Sequence, residues 1–250
     1  MLQRLPYLHN KKGSLCQFLS KVAFSKKTKV RLCKQLAKNA VFQGMRCSCP
    51  ENGAGCLRAL LAEWDGKLLN ASAFGRQLGV AHSTAMSALK RLAQQGDVRI
   101  LPSFDRGRRP LLYVAGSLLG SWVEAVVAEI LKAAPESGFF WWKTRRVRQI
   151  HLLADTGRRR LGFCFSPVGM PQRKDRFPLH IACRRGLIHN GYVLHSGSGA
   201  WFFRPALFEL PFADFVRKSD YWINPQDPWT EVRRINLASD AALARLFSGT

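Results

Sequence analysis

The segment SLLGSWVEAVVAEILKAA, residues 117–134, is apolar on almost every side of a helix. Leu118, Trp122, Val126 and Ile130 recur one turn apart, and the aliphatic residues between them leave little room for a solvated face. A helix of this kind is stable only when it is largely buried. The residues that follow supply the cover. GFFWW, RQIHLLA, RRLGFCFS, NGYVLHSGS and GAWFFRP are short, β-branched or aromatic, and bounded by turn residues, so each reads as a strand. PLHIACRRG reads either as a further strand or as the continuation of a helix begun at PQRKDRFP. Strands alternating with one or two helices predict an α/β (α+β) domain over residues 116–215.

Upstream, CLRALLAEWDG places Leu57, Leu60, Leu61 and Trp64 on one helical side. NASAFGRQLG predicts a second helix with Asn70 or Ser72 as its N-cap, Phe74 and Leu78 inward, and Gly79 closing it in the left-handed conformation. VAHSTAMSALKRLAQQG predicts a third, with Ala85, Ala88, Leu89 and Leu92 inward and Gly96 ending it. A strand VRIL, a turn SFDRGRRP and a strand LLYVA follow. Three helices and a hairpin over residues 56–115 predict a winged helix-turn-helix. On the third helix His82, Ser83, Ser87, Lys90 and Arg91 would face a nucleic acid, with Arg106, Arg108 and Arg109 of the turn meeting phosphates. Winged helices also serve as packing modules, and both uses stay open at this point.

Charge narrows the partners. Lysine and arginine total 39 against 16 acidic residues, a formal charge of +23. That balance favours polyanions, DNA or another nucleic acid first. Residues 1–50 hold 11 basic and no acidic residues, and residues 135–250 hold 18 basic against 9 acidic. Residues 1–55 read as a basic helical leader and linker, and residues 216–250 as a tail ending in the helix NLASDAALARLF. No stretch approaches the roughly 20 apolar residues of a membrane span, and no secretory signal is evident, so a cytoplasmic, non-membrane protein with reduced thiols is expected. The seven cysteines include CSCPENGAGC, residues 47–56. It reads as a Pro/Gly-rich turn; the alternative is a zinc site of Cys47, Cys49 and Cys56 with Cys33.

Several motifs in order resemble one family. LLAEWDGKLLNASAFGRQLGVAHSTAMSALKRL, RRPLLYVAGSLLGSWVEAVVAEIL with its Gly-x-x-x-Glu helix, GYVLHSG and FELPFADF are similar to the C-terminal region of a prokaryotic family of AAA+-type ATPases, the domain of unknown function 4143. The resemblance implies a winged helix followed by a restriction-endonuclease-like domain. No G-x-x-x-x-G-K-[ST] motif is present, so no ATPase activity carries over and the chain reads as a remnant of the larger family.

Such a nuclease core implies a helix glutamate, a strand Glu-Ile-Asp and a strand Glu-x-Lys that together hold Mg²⁺. Glu124 matches the helix glutamate, but Gln149-Ile150-His151 and Cys164-Phe165-Ser166 replace the two strand motifs. The expectation is a degenerate site with no catalytic residues, no metal and no cofactor. Zinc on Glu124, His151 and Cys164 is an alternative ligand set. Arg145, Arg146, Arg148, Arg158, Arg159 and Arg160 flank the hairpin beside Trp141 and Trp142, and would contact a phosphate backbone with one indole stacking on a base. The sequence thus predicts a non-enzymatic, nucleic-acid-associated protein. The alternatives are a regulatory module that binds a protein partner and a divergent metal-dependent nuclease.

Overall fold

Residues 60–63 are helical, within the first helix read from the sequence, and Asn70 rather than Ser72 caps the second, accepting a hydrogen bond on its side-chain oxygen from the Ala73 N–H at 3.1 Å. The computed structural model describes residues 60–143, 149–224 and 230–238. These fall into two units: residues up to 63 together with 70–94, and residues 64–69 together with those from 95 onward. The first unit contains helices α1 (Ala71–Leu78) and α2 (His82–Gln94). Gly79 ends α1 at φ 67°, a conformation glycine adopts without strain. The chain then turns so tightly that a Cβ on Gly75 would lie 2.9 Å from the Val80 carbonyl oxygen. Phe74, Leu78, Ala85, Leu89 and Leu92 are buried, at the helical spacing read from the sequence.

The second unit is a mixed α/β structure with two sheets. The smaller sheet contains β1 (Lys67–Leu68), β2 (Val98–Leu101) and β3 (Leu111–Val114), in the order β1-β3-β2 and wholly antiparallel. Helix α3 (Leu118–Ala133) follows. Ser117 caps it, accepting from the Gly120 N–H at 3.0 Å while donating to the Val114 carbonyl at 2.6 Å. Trp122, Val123, Val126, Val127 and Ile130 are buried, as the apolar surround requires. Each such side chain contributes roughly 1.5–3 kcal/mol on burial.

The larger sheet contains β4 (Gly138–Lys143), β5 (Gln149–Asp155), β6 (Arg160–Ser166), β7 (Asn190–His195), β8 (Trp201–Arg204) and β9 (Leu207–Pro211). Its order is β4-β5-β6-β7-β9-β8. The pairs β4/β5, β5/β6 and β8/β9 are antiparallel, whereas β6/β7 and β7/β9 are parallel. The parallel step from β6 to β7 needs a crossover, and helix α4 (Arg173–Arg184) makes it. Of the two readings open for PLHIACRRG, the helix is the one observed. Leu179 and Ala182 bury at helical spacing, and they pack on one side of the sheet with Ile150, Cys164 and Val193. The other side carries α3, α5 (Phe212–Arg217) and α6 (Ser219–Ile223), so the sheet lies between two helical layers.

The small sheet shares this second core through Leu101, Leu111 and Tyr113. Backbone bonds reinforce the junction, from the Phe104 N–H to the Trp141 carbonyl at 2.8 Å and from the Trp141 N–H to the Pro102 carbonyl at 3.0 Å. Strand β9 escaped the sequence reading because a charged residue, Glu209, stands at its centre and Pro211 ends it, although all five residues are buried. Its Glu209 is paired with Arg176 of α4 at 2.9 Å. Residues 230–238 are helical, so a tail helix is present, beginning earlier than NLASDAALARLF. Residues 239–250, the leader and the cysteine-rich segment 47–56 lie outside the described residues. Among the described residues, no helix is long and apolar enough to cross a membrane.

Candidate functional site

A cavity of about 430 Å³ opens at the end of β6, walled by β5, β6 and the first turn of α4. Gln149, His151, Cys164 and Ser166, the four strand positions singled out in the sequence, all line it. Local backbone geometry explains part of this convergence. Phe140 pairs with Leu153 and Trp142 with Ile150, so Trp141 alone stands opposite both His151 and Leu152. That extra residue is a β-bulge, a device that re-aims a side chain. Here it adds His151 to the wall that Cys164 and Ser166 form.

The imidazole is held in one tautomer. Its Nδ1 accepts from the Phe165 N–H at 3.0 Å, so the neutral ring carries its hydrogen on Nε2. The ring lies near-parallel to Phe165 at 6.0 Å. Burial pushes the His151 pKa down to about 4, against the opposing pull of Asp175. Burial and the same carboxylate push the Cys164 thiol well up, and its Sγ–H points to the Gln149 carbonyl at 3.8 Å. This cysteine is a protonated packing group rather than a nucleophile. The Gln149 amide donates to the Gly66 carbonyl at 3.2 Å.

Three charged lining residues did not follow from the sequence: Lys143, Lys174 and Asp175. Asp175 accepts from the Ser166 hydroxyl at 3.3 Å and from the Gln172 N–H at 3.0 Å, which also caps α4. Gln172-x-x-Asp175 departs from the usual Ser/Thr-x-x-Glu/Gln capping signature and opens a strongly charged helix, so the sequence carries no clear signal for Asp175. Glu124 stands elsewhere: it receives both Arg99 Nε and, at 2.6 Å, Arg99 Nη2, tying α3 to β2.

The basic positions differ in their surroundings. His82, Ser83, Ser87, Lys90 and Arg91 are all exposed on α2. Arg106, Arg108 and Arg109 are exposed in the β2–β3 turn, with Arg108 paired to Asp105 at 3.3 Å. Arg158 is exposed and Arg159 half-buried. Arg160 is engaged within the fold, donating to the Gly186 carbonyl at 2.9 Å and lying 5.9 Å from the Phe104 ring centre. Arg145, Arg146 and Arg148 lie outside the described residues. Trp141 and Trp142 are buried on opposite sides of the sheet, which removes the base-stacking role considered for them.

No family model, curated protein or solved structure matches the chain. The chemistry must therefore be read from the donor set itself. Among the described residues, no three His, Cys, Asp or Glu side chains gather as metal ligands. The set Glu124, His151 and Cys164 is not assembled, because Glu124 is bound to Arg99 and does not line the cavity. Mg²⁺ takes hard oxygen ligands, and Asp175 is the single carboxylate in the lining. The residues present do not fit the metal that the nuclease resemblance implies.

Proposed function

We propose that the chain is a non-enzymatic, nucleic-acid-associated protein: a winged helix-turn-helix joined to a nuclease-like α/β domain that has lost its metal-binding acids. The observation that carries this reading is the α2 surface. Its exposed positions combine one imidazole, two hydroxyls and two cations on the helix that follows a tight, glycine-closed turn. Lys90 and Arg91 suit phosphates, whereas His82, Ser83 and Ser87 suit base edges. The formal charge of +23 supplies the long-range attraction. The α3-β4-β5-β6 succession, with polar strand positions meeting at one cavity, supports the nuclease-like half of the reading, and its single carboxylate supports the loss of Mg²⁺ chemistry.

The test is titration of a fluorescently labelled duplex with the full chain at low ionic strength, with and without Mg²⁺. Saturable binding without strand cleavage is the expected result. An unchanged anisotropy at low ionic strength contradicts nucleic-acid association. Mg²⁺-dependent cleavage abolished by Asp175→Asn contradicts the non-enzymatic half.

A further inference from the structure

We propose that the cavity beside β5 and β6 holds the phosphate group of a phosphate monoester without a metal. The inference stands on the cavity alone and is independent of the α2 surface. Its lining offers two ammonium groups, Lys143 and Lys174, against one carboxylate. Among the described residues neither lysine is in an ion pair, so their charge is not used within the fold. Lys174 occupies the first turn of α4 and is exposed, beside Asp175 of the same turn.

The third donor is His151. The bond from the Phe165 N–H fixes its proton on Nε2, and among the described residues nothing accepts from that nitrogen. A neutral ring donor of this kind can bind an anion across neutral pH without titrating. The bulge places the residue at the wall, and the rim is built rather than loose. Ser196 donates to the Pro167 carbonyl at 2.8 Å, and Gly197 sits so close to Gly169 that a Cβ there would overlap its carbonyl. Cys164, protonated and apolar in behaviour, lines the cavity while belonging to the buried core, so the cavity is closed there and suits a terminal group better than a strand passing through.

Asp175 gives the proposal its sharpest consequence. As a like charge it weakens phosphate binding, whereas in a metal site it would be indispensable. The experiment is titration of the full chain with inorganic phosphate, followed through the imidazole nitrogen resonances of His151. In parallel, a short single strand carrying a 5′-phosphate is compared with the same strand carrying a 5′-hydroxyl. Saturable shifts are expected, with affinity roughly tenfold weaker in Lys174→Ala and in Lys143→Ala. Asp175→Asn is expected to bind more tightly, and His151→Asn, which keeps an acceptor for Phe165, more weakly. Preference for the 5′-phosphate strand assigns the site to nucleic-acid ends; response to inorganic phosphate without that preference assigns it to a small phosphate. Absence of saturable shifts overturns the proposal, as does equal affinity in wild type and Lys174→Ala, an exposed substitution that does not threaten folding. Either failure leaves duplex binding through α2 untouched.

Discussion

His151 is a cavity residue whose protonation the fold alters strongly. Its ordinary pKa is 6.5 and the folded value is about 4. Between those values the unfolded chain binds a proton that the folded chain does not, so stability falls as pH drops from about 6.5 towards 4. The difference corresponds to about 3 kcal/mol, fully present above 6.5 and lost progressively on acidification. Denaturant unfolding at pH 7 and pH 4.5 should show His151→Asn losing about 2 kcal/mol less than wild type over that interval. Equal losses in the two proteins would mean that the ring is protonated in the folded state. His195 is also held low by burial, so wild type and variant must be compared rather than wild type read alone.

At the scale of the elements, the Gly-x-x-x-Glu stretch of α3 has a packing role. A Cβ on Gly120 would overlap the Val114 carbonyl, and Glu124 one turn later binds Arg99 of β2. Both residues fix α3 against the small sheet. Gly120→Ala should therefore destabilise the protein by about 2 kcal/mol, despite a helix-propensity gain of about 1 kcal/mol. A thermal melt shows the loss as a lowered Tm, and an alanine variant as stable as wild type would contradict the close approach. Elements marked by a period, or by an apolar run between turn residues, were legible from sequence: α1, α2 and α3, the β2–β3 hairpin, and strands β4 to β8. Strand β9 was not, because Glu209 and Pro211 interrupt its short apolar run, and the helix α4 stayed ambiguous because Pro178 sits among residues suited to either state. The cavity was half legible. Its strand positions Gln149, His151, Cys164 and Ser166 follow from period-two alternation, but Lys174 and Asp175 reach it through the tertiary placement of α4.

For the whole molecule, the charge of +23 is the property that any function must use or tolerate. Self-repulsion of that size is not needed for solubility, and it favours a polyanionic partner. The salt dependence of duplex binding separates that attraction from a specific α2 contact. Each phosphate contact removed lowers the slope of log affinity against log salt by about 1. The most direct measurement compares this slope for the wild-type full chain and the Lys90→Ala/Arg91→Ala double variant on one labelled duplex. A slope shallower by about 2 in the variant is predicted, with affinity reduced at every salt concentration. Identical slopes and affinities would show that α2 does not meet nucleic acid.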